Sequence, residues 1–340
     1  AFGSMIRRFD RAKHHRSSLW ALVTLAAMPP ALLALCGPAF AHASERGHVL
    51  LLPTQYYVLG GALAVAASFL VLIFLPPQAL ARLGTRRIRI ALLPFDGRAT
   101  VSFFSFLIFA ALIYAGVSGS RDPLANPLPL TVWTLLWVGL TLMQGLFGNL
   151  WAWLNPWYGP WRFFVRLGGP EKGWFRLPKA LGYRPAVLLL FCFAWFELIY
   201  IAPDDPQHLA AAALAYWLFT FAGMCMFGHP SWASRMEVLS VFFGMISRLS
   251  VLEARCTERG FSLSTCLPGG KLTDTRPLPL SGVAFLPLAL ASVPFDGFMR
   301  TFFWLGAIGI NPLEFPGRSS VVTENTMGLA GTFLVLGAAF

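Results

Sequence analysis

The sequence predicts an all-α fold: a polytopic helical membrane protein with about six to seven transmembrane helices behind a signal peptide. Three observations carry that expectation. The composition is 56% hydrophobic, 15% aromatic and only 12% charged, about half the charged share of an ordinary soluble domain. Apolar runs of near-spanning length recur at roughly 56–75, 99–118, 130–150, 185–202, 208–228 and 280–298, with a further run from 325 to 340. About 20 such residues cross a bilayer as a helix. The basic residues alternate with those runs instead of forming one patch. The formal charge of +11 is therefore a topology signal and not a nucleic-acid footprint.

The amino-terminal stretch reads as a targeting segment over residues 5–41. Arg7, Arg8, Arg11, Lys13 and Arg16 precede an apolar run from Leu19 to Leu35, and Ala39-Phe40-Ala41 follows. This is the order of a secretory signal peptide. Pro29-Pro30 interrupts the apolar run and disfavours a lasting anchor. Cleavage after Ala41 makes His42 the first mature residue, whereas cleavage after Ala43 discards it. The polytopic domain is then 42–340. Its last run, Met327 to Phe340, has 14 residues and is expected to stop inside a helix.

Side assignment follows from lysine and arginine. Segment 76–98 carries Arg82, Arg86, Arg87, Arg89 and Arg98, and segment 156–184 carries six basic residues from Arg162 to Arg184. Both are assigned to the cytoplasm, together with 229–279 and its six basic residues. Loops 119–129 and 203–207 hold Arg121 as their only basic residue, beside Asp122, Asp204 and Asp205, and face outward. One topology satisfies every loop, with the mature N-terminus in the periplasm of a bacterial inner membrane. Within the cytoplasmic segment, Glu237 to Glu253 has apolar residues at helical spacing and is expected to form an interfacial helix.

Charged side chains inside hydrocarbon cost about 2.5–3.5 kcal/mol on insertion scales and are therefore functional candidates. Glu197, in F-C-F-A-W-F-E-L-I-Y, and Asp296 are the candidates for catalysis. The structural alternatives are a protonated or interface-reaching Glu197, and an ion pair between Asp296 and Arg300 four residues on. His42, His48 and His208 lie in the same outer compartment and are the candidate metal ligands, with Glu314 and Glu324 as outer carboxylates. Imidazole and carboxylate suit a transition metal such as copper or zinc. A terminal His42 adds its amine to Nδ1 in one chelate ring.

Five cysteines show no C-x-x-C spacing, so neither a disulfide framework nor a zinc ribbon is suggested. Cys192 and the run Met224-Cys225-Met226 are soft ligands that could mark a copper path, though core packing is much the commoner reason for Met and Cys in a membrane helix. Asn155-Pro156-Trp157 and its neighbours read as a rigid turn in an aromatic belt. The tetrapeptide P-F-D-G occurs at 94–97 and 294–297, a repeat no more frequent than chance allows.

The stretch Ser292 to Gly297, W-L-G-A-I-G-I-N-P-L-E-F-P-G-R-S-S-V-V at 304–322 and E-N-T-M-G-L at 324–329 resemble a bacterial family of polytopic membrane proteins labelled fenitrothion hydrolase. The A-F-A-H-A-S-E-R-G-H opening and the L-N-P-W turn resemble it too. The resemblance implies a membrane-bound enzyme hydrolysing an organophosphate triester; the outer histidines and carboxylates add the expectation of a metal site that activates water at the periplasmic face. The resemblance carries no catalytic residues with it. The alternatives are a copper or small-solute transport protein, and an anchor without chemistry of its own, bound to a partner membrane subunit. In all three the lipid bilayer is the surrounding partner.

Overall fold

The computed structural model describes residues 54–74, 76–93, 96–257, 260–314 and 317–339. The signal segment, His42 and His48 lie outside the described residues. Two compact units divide at Val65 and Ala66. The first is described from Thr54, the start of helix α1 (Thr54–Phe74). All later elements belong to the second.

The chain is mostly helical. After α2 (Pro77–Thr85) and strand β1 (Ile88–Leu93) come α3 (Arg98–Ser118) and α4 (Pro127–Phe147). Two short helices follow, α5 (Trp151–Leu154) and α6 (Tyr158–Arg166), then α7 (Arg184–Leu198), α8 (Pro206–Phe227), α9 (His229–Ala233) and α10 (Val238–Ile246). Strands β2 (Leu252–Thr257) and β3 (Gly260–Thr265) precede α11 (Leu280–Phe298), α12 (Phe302–Ala307) and α13 (Val322–Ala339). Four of these helices, α3, α4, α8 and α11, are long and apolar enough to cross a membrane.

That is fewer than the six to seven expected, and the shortfall has local causes. The run 185–202 folds as the 15-residue α7, about 22 Å long against a hydrocarbon core of about 30 Å. It ends because Arg318 takes the carbonyls of Glu197 (3.1 Å) and Tyr200 (3.3 Å), a cation at a helix C-terminus. The runs at 56–75 and 325–340 fall on α1 and α13. The apolar part of α1 covers Val58–Val71, and α13 opens on the polar Glu324 and Asn325.

Helix starts follow capping chemistry. Asn126 accepts from the Leu128 amide with Pro127 next in line, and Asp205 accepts from the amides of Gln207 and His208 with Pro206 next in line. The helix that starts at Pro127 winds as a π-helix over Leu130–Leu140 and stops at Gly148. There φ is +93°, and an added Cβ would lie 2.8 Å from the Leu252 carbonyl oxygen, so only glycine fits. Helices α3 and α6 approach equally closely. A Cβ on Gly159 would lie 2.6 Å from the Phe103 amide nitrogen.

The interfacial helix expected over Glu237 to Glu253 is shorter and changes course. Regular α-helix covers Val238–Ile246, a 3₁₀ turn covers Ser247–Leu249, and Leu252 begins a strand. Past Ser250 the backbone finds partners outside the helix: the Val251 amide donates to Leu146 O, and the Cys266 amide donates to Val251 O. The all-α expectation is corrected in the same region by an antiparallel sheet of order β1-β3-β2, with Ile88 opposite Thr265 and Leu252 opposite Thr265. Arg87 ties it to the following turn through Glu253 (3.0 Å) and Asp274 (3.1 Å). The aromatic core holds Trp151, Trp157, Trp161, Trp217 and Phe243 against Leu190 and Leu288.

Candidate functional site

The residues singled out in the sequence gather in part at the end of the bundle away from the sheet. Glu197 is half-buried near the C-terminus of α7, within electrostatic range of Asp296, Asp204 and Arg318. Its carboxylate has no hydrogen-bond or ion-pair partner among the described residues. Asp296, in the last turn of α11, pairs with Arg300 at 3.1 Å. His208, in the first turn of α8, is exposed, and its Nδ1 lies 3.4 Å from the Tyr200 hydroxyl. Asp205 caps that helix and pairs with Arg121 at 2.6 Å.

Asp296 therefore comes into range of Glu197, while His208 instead partners Tyr200. Among the described residues, no three His, Cys, Asp or Glu side chains converge to hold a metal ion. Of the three candidate metal ligands, His208 alone falls among the described residues, and it is exposed. The soft-ligand run is likewise split, with Met224 and Cys225 buried and Met226 exposed. An apolar cavity of about 620 Å³ lies between α11 and α13, lined by Pro294, Phe298, Trp304 and Met327, with Glu324 as its single ionisable residue.

The aspartates of the two P-F-D-G copies differ in setting. Asp96 sits in a turn before α3, where its carboxylate accepts from the Arg98 backbone and guanidinium. That guanidinium holds the Asp96 carboxyl below its usual range. Asp296 sits inside a helix.

A second cluster, at the sheet-bearing end, escaped sequence reading. Glu237 caps α10 and is 0% exposed. It accepts hydrogen bonds from the Tyr216 hydroxyl, from Trp151 Nε1 (3.3 Å) and from the amides of Leu239 and Ser240. Four donors and a helix N-terminus replace the water that a buried carboxylate would otherwise need. The signal lay in E-V-L-S, an acidic residue opening an apolar run, but neither Tyr216 nor Trp151 is adjacent in sequence.

Beside Glu237 lies a cavity of about 430 Å³, lined by Arg98, Asn149, Tyr158, Trp161, Arg162 and His229 among others. Arg98 lies 5.3 Å over the Tyr158 ring and 5.1 Å over Phe261 of β3. His229 packs between Tyr158 (4.8 Å) and Trp161 (5.2 Å). Burial, and then the Arg98 charge, push the His229 imidazole down to about 4, so it is neutral at physiological pH.

Set against protein-family models, curated proteins and solved structures, the chain matches none of them.

Proposed function

We propose that this chain is a multi-pass inner-membrane protein that handles a small solute or metal ion at the outer end of its bundle, through Glu197. In this reading residues 5–41 are a signal peptide, the mature N-terminus is periplasmic and the sheet-bearing end is cytoplasmic. The observation that carries it is the half-buried Glu197 carboxylate, unpaired among the described residues and facing the charges of Asp296 and Asp204. A carboxylate in that setting gains from binding a cation or a proton. Cells overproducing the protein are expected to differ in copper or other metal content from cells producing Glu197→Gln at equal level. Identical contents in the two, and in cells without the protein, would remove this reading.

The apolar cavity between α11 and α13 favours a second reading, hydrolysis of an organophosphate triester, the activity implied by the resemblance to the fenitrothion hydrolase family. Its 620 Å³ volume and apolar lining suit an uncharged aryl ester. Purified protein in detergent, assayed on an aryl phosphotriester with and without zinc or copper, is expected to release the phenol. No release under any of these conditions excludes the activity.

A further inference from the structure

The cavity between the start of α3, α6 and α9 is separate from the outer carboxylates and is lined by two arginines, Arg98 and Arg162, one carboxylate, Glu171, and several N–H donors. Trp161 is 2% exposed, yet its indole N–H has no partner among the described residues. A buried donor left unpaired costs about 1–3 kcal/mol; this one is closed to solvent, so a ligand recovers that loss only where the Trp161 ring turns its N–H to the cavity. Asn149 uses its carbonyl oxygen on the Ala152 amide, which leaves its NH₂ available. Asn155 is spent at both ends, accepting from the Tyr158 amide and donating to Trp151 O. Trp161, Asn149 and Arg162 thus keep donor capacity on this wall, and the carboxylate beside them, Glu171, accepts from Arg162.

Arg162 adds charge to them. Its Nη1 bonds Glu171 at 3.1 Å, and its Nε and Nη2 have no hydrogen-bond partner among the described residues. The side chains of this pair are 36% and 64% exposed, and an exposed pair is held by at most about 1 kcal/mol. The guanidinium can turn to a better partner at little cost. Arg98, whose guanidinium is held by Asp96, stands on the same wall, and the neutral His229 ring supplies an N–H. Glu237 does not line the cavity, and its own donors saturate it.

We propose that this cavity binds the phosphate group of a phosphate ester, with Arg162, Trp161 Nε1 and Asn149 as its donors. Two sources share that chemistry: the headgroup of an anionic phospholipid and a soluble phosphate monoester. Guanidinium matches phosphate with paired N–H donors, and the three free oxygens of a phosphate ester can accept from several N–H groups at once. The mixed aromatic wall of Tyr158 and Trp161 accepts the organic part.

The test uses the full chain purified in a non-ionic detergent or reconstituted in nanodiscs. Calorimetric titration with glycerol 3-phosphate is one arm, with inorganic phosphate beside it. The other arm compares melting in phosphatidylglycerol and phosphatidylcholine nanodiscs. A soluble-ester site gives saturable heat in the first arm, and a lipid site gives a higher melting midpoint in phosphatidylglycerol only. In either case Arg162→Gln is expected to weaken the response at least about tenfold, the loss of a charge-assisted bond. Trp161→Phe, which keeps the ring and deletes the donor, is expected to weaken it about three- to tenfold. Should the tryptophan variant fail to fold, the rim variant Arg162→Gln decides alone. No response of the wild type in either arm overturns the proposal, as does a response that Arg162→Gln leaves unchanged.

Discussion

Tyr216, in the middle of α8, donates its hydroxyl to the carboxylate of Glu237, the residue that caps α10. With Trp151 donating to the second oxygen, one buried acid locks three helices together. Glu237→Ala would strand the Tyr216 and Trp151 donors and uncap α10. The expected loss is about 3 kcal/mol or more, read as a lower thermal midpoint in detergent. Glu237→Gln keeps one acceptor oxygen and should fall between. An alanine variant that melts with the wild type would show that the carboxylate holds nothing.

The contact between α3 and α6 rests on Ser102, which is 0% exposed. Its hydroxyl donates to Asn155 O at 2.5 Å and accepts from the Gly159 amide at 2.7 Å. Ser102→Ala leaves both backbone groups without that partner and should cost about 1–3 kcal/mol. Gly159→Ala must part the two helices, because its Cβ meets Ala99 O at 2.8 Å. It is expected to cost more than Ser102→Ala in the same melting assay. The reverse order would contradict the close approach.

His229 makes stability depend on pH. Its folded value of about 4 lies below its reference of 6.5. Between those values the unfolded chain binds a proton that the folded chain refuses. Its contribution is fully present above pH 6.5 and is lost as pH falls towards 4, by at most about 3 kcal/mol. Melting midpoints recorded across this window should fall less steeply for His229→Gln than for the wild type. Parallel slopes would mean that the imidazole titrates normally.

Arg318 closes the short helix α7 by taking the Glu197 and Tyr200 carbonyls. Arg318→Ala removes both bonds and the favourable charge at the helix C-terminus. The expected loss is about 1–3 kcal/mol, measured by melting. It should be accompanied by faster hydrogen exchange at the amides of Leu198 to Tyr200. Unchanged protection there would place the helix stop elsewhere.

The polarity of the chain is local, and so it was legible. Apolar runs and the spacing of Asp296 to Arg300 involve neighbours within one or two turns, and they appear as helices and as an ion pair. Sequence spacing also singled out Glu197, because a charge in an apolar run is conspicuous without any partner being known.

The sequence by itself determined a mostly helical, apolar chain with its charges confined to particular loops. The tertiary structure alone decided what those loops build. The Trp151–Glu237 bond spans 86 positions and Tyr216–Glu237 spans 21, and β1 meets β3 from opposite halves of the chain. Periodicity registers an element's own solvent preference, whereas these contacts depend on which distant donor arrives at which buried acceptor. The same limit applies to α7, whose length is set by an arginine 121 positions beyond Glu197.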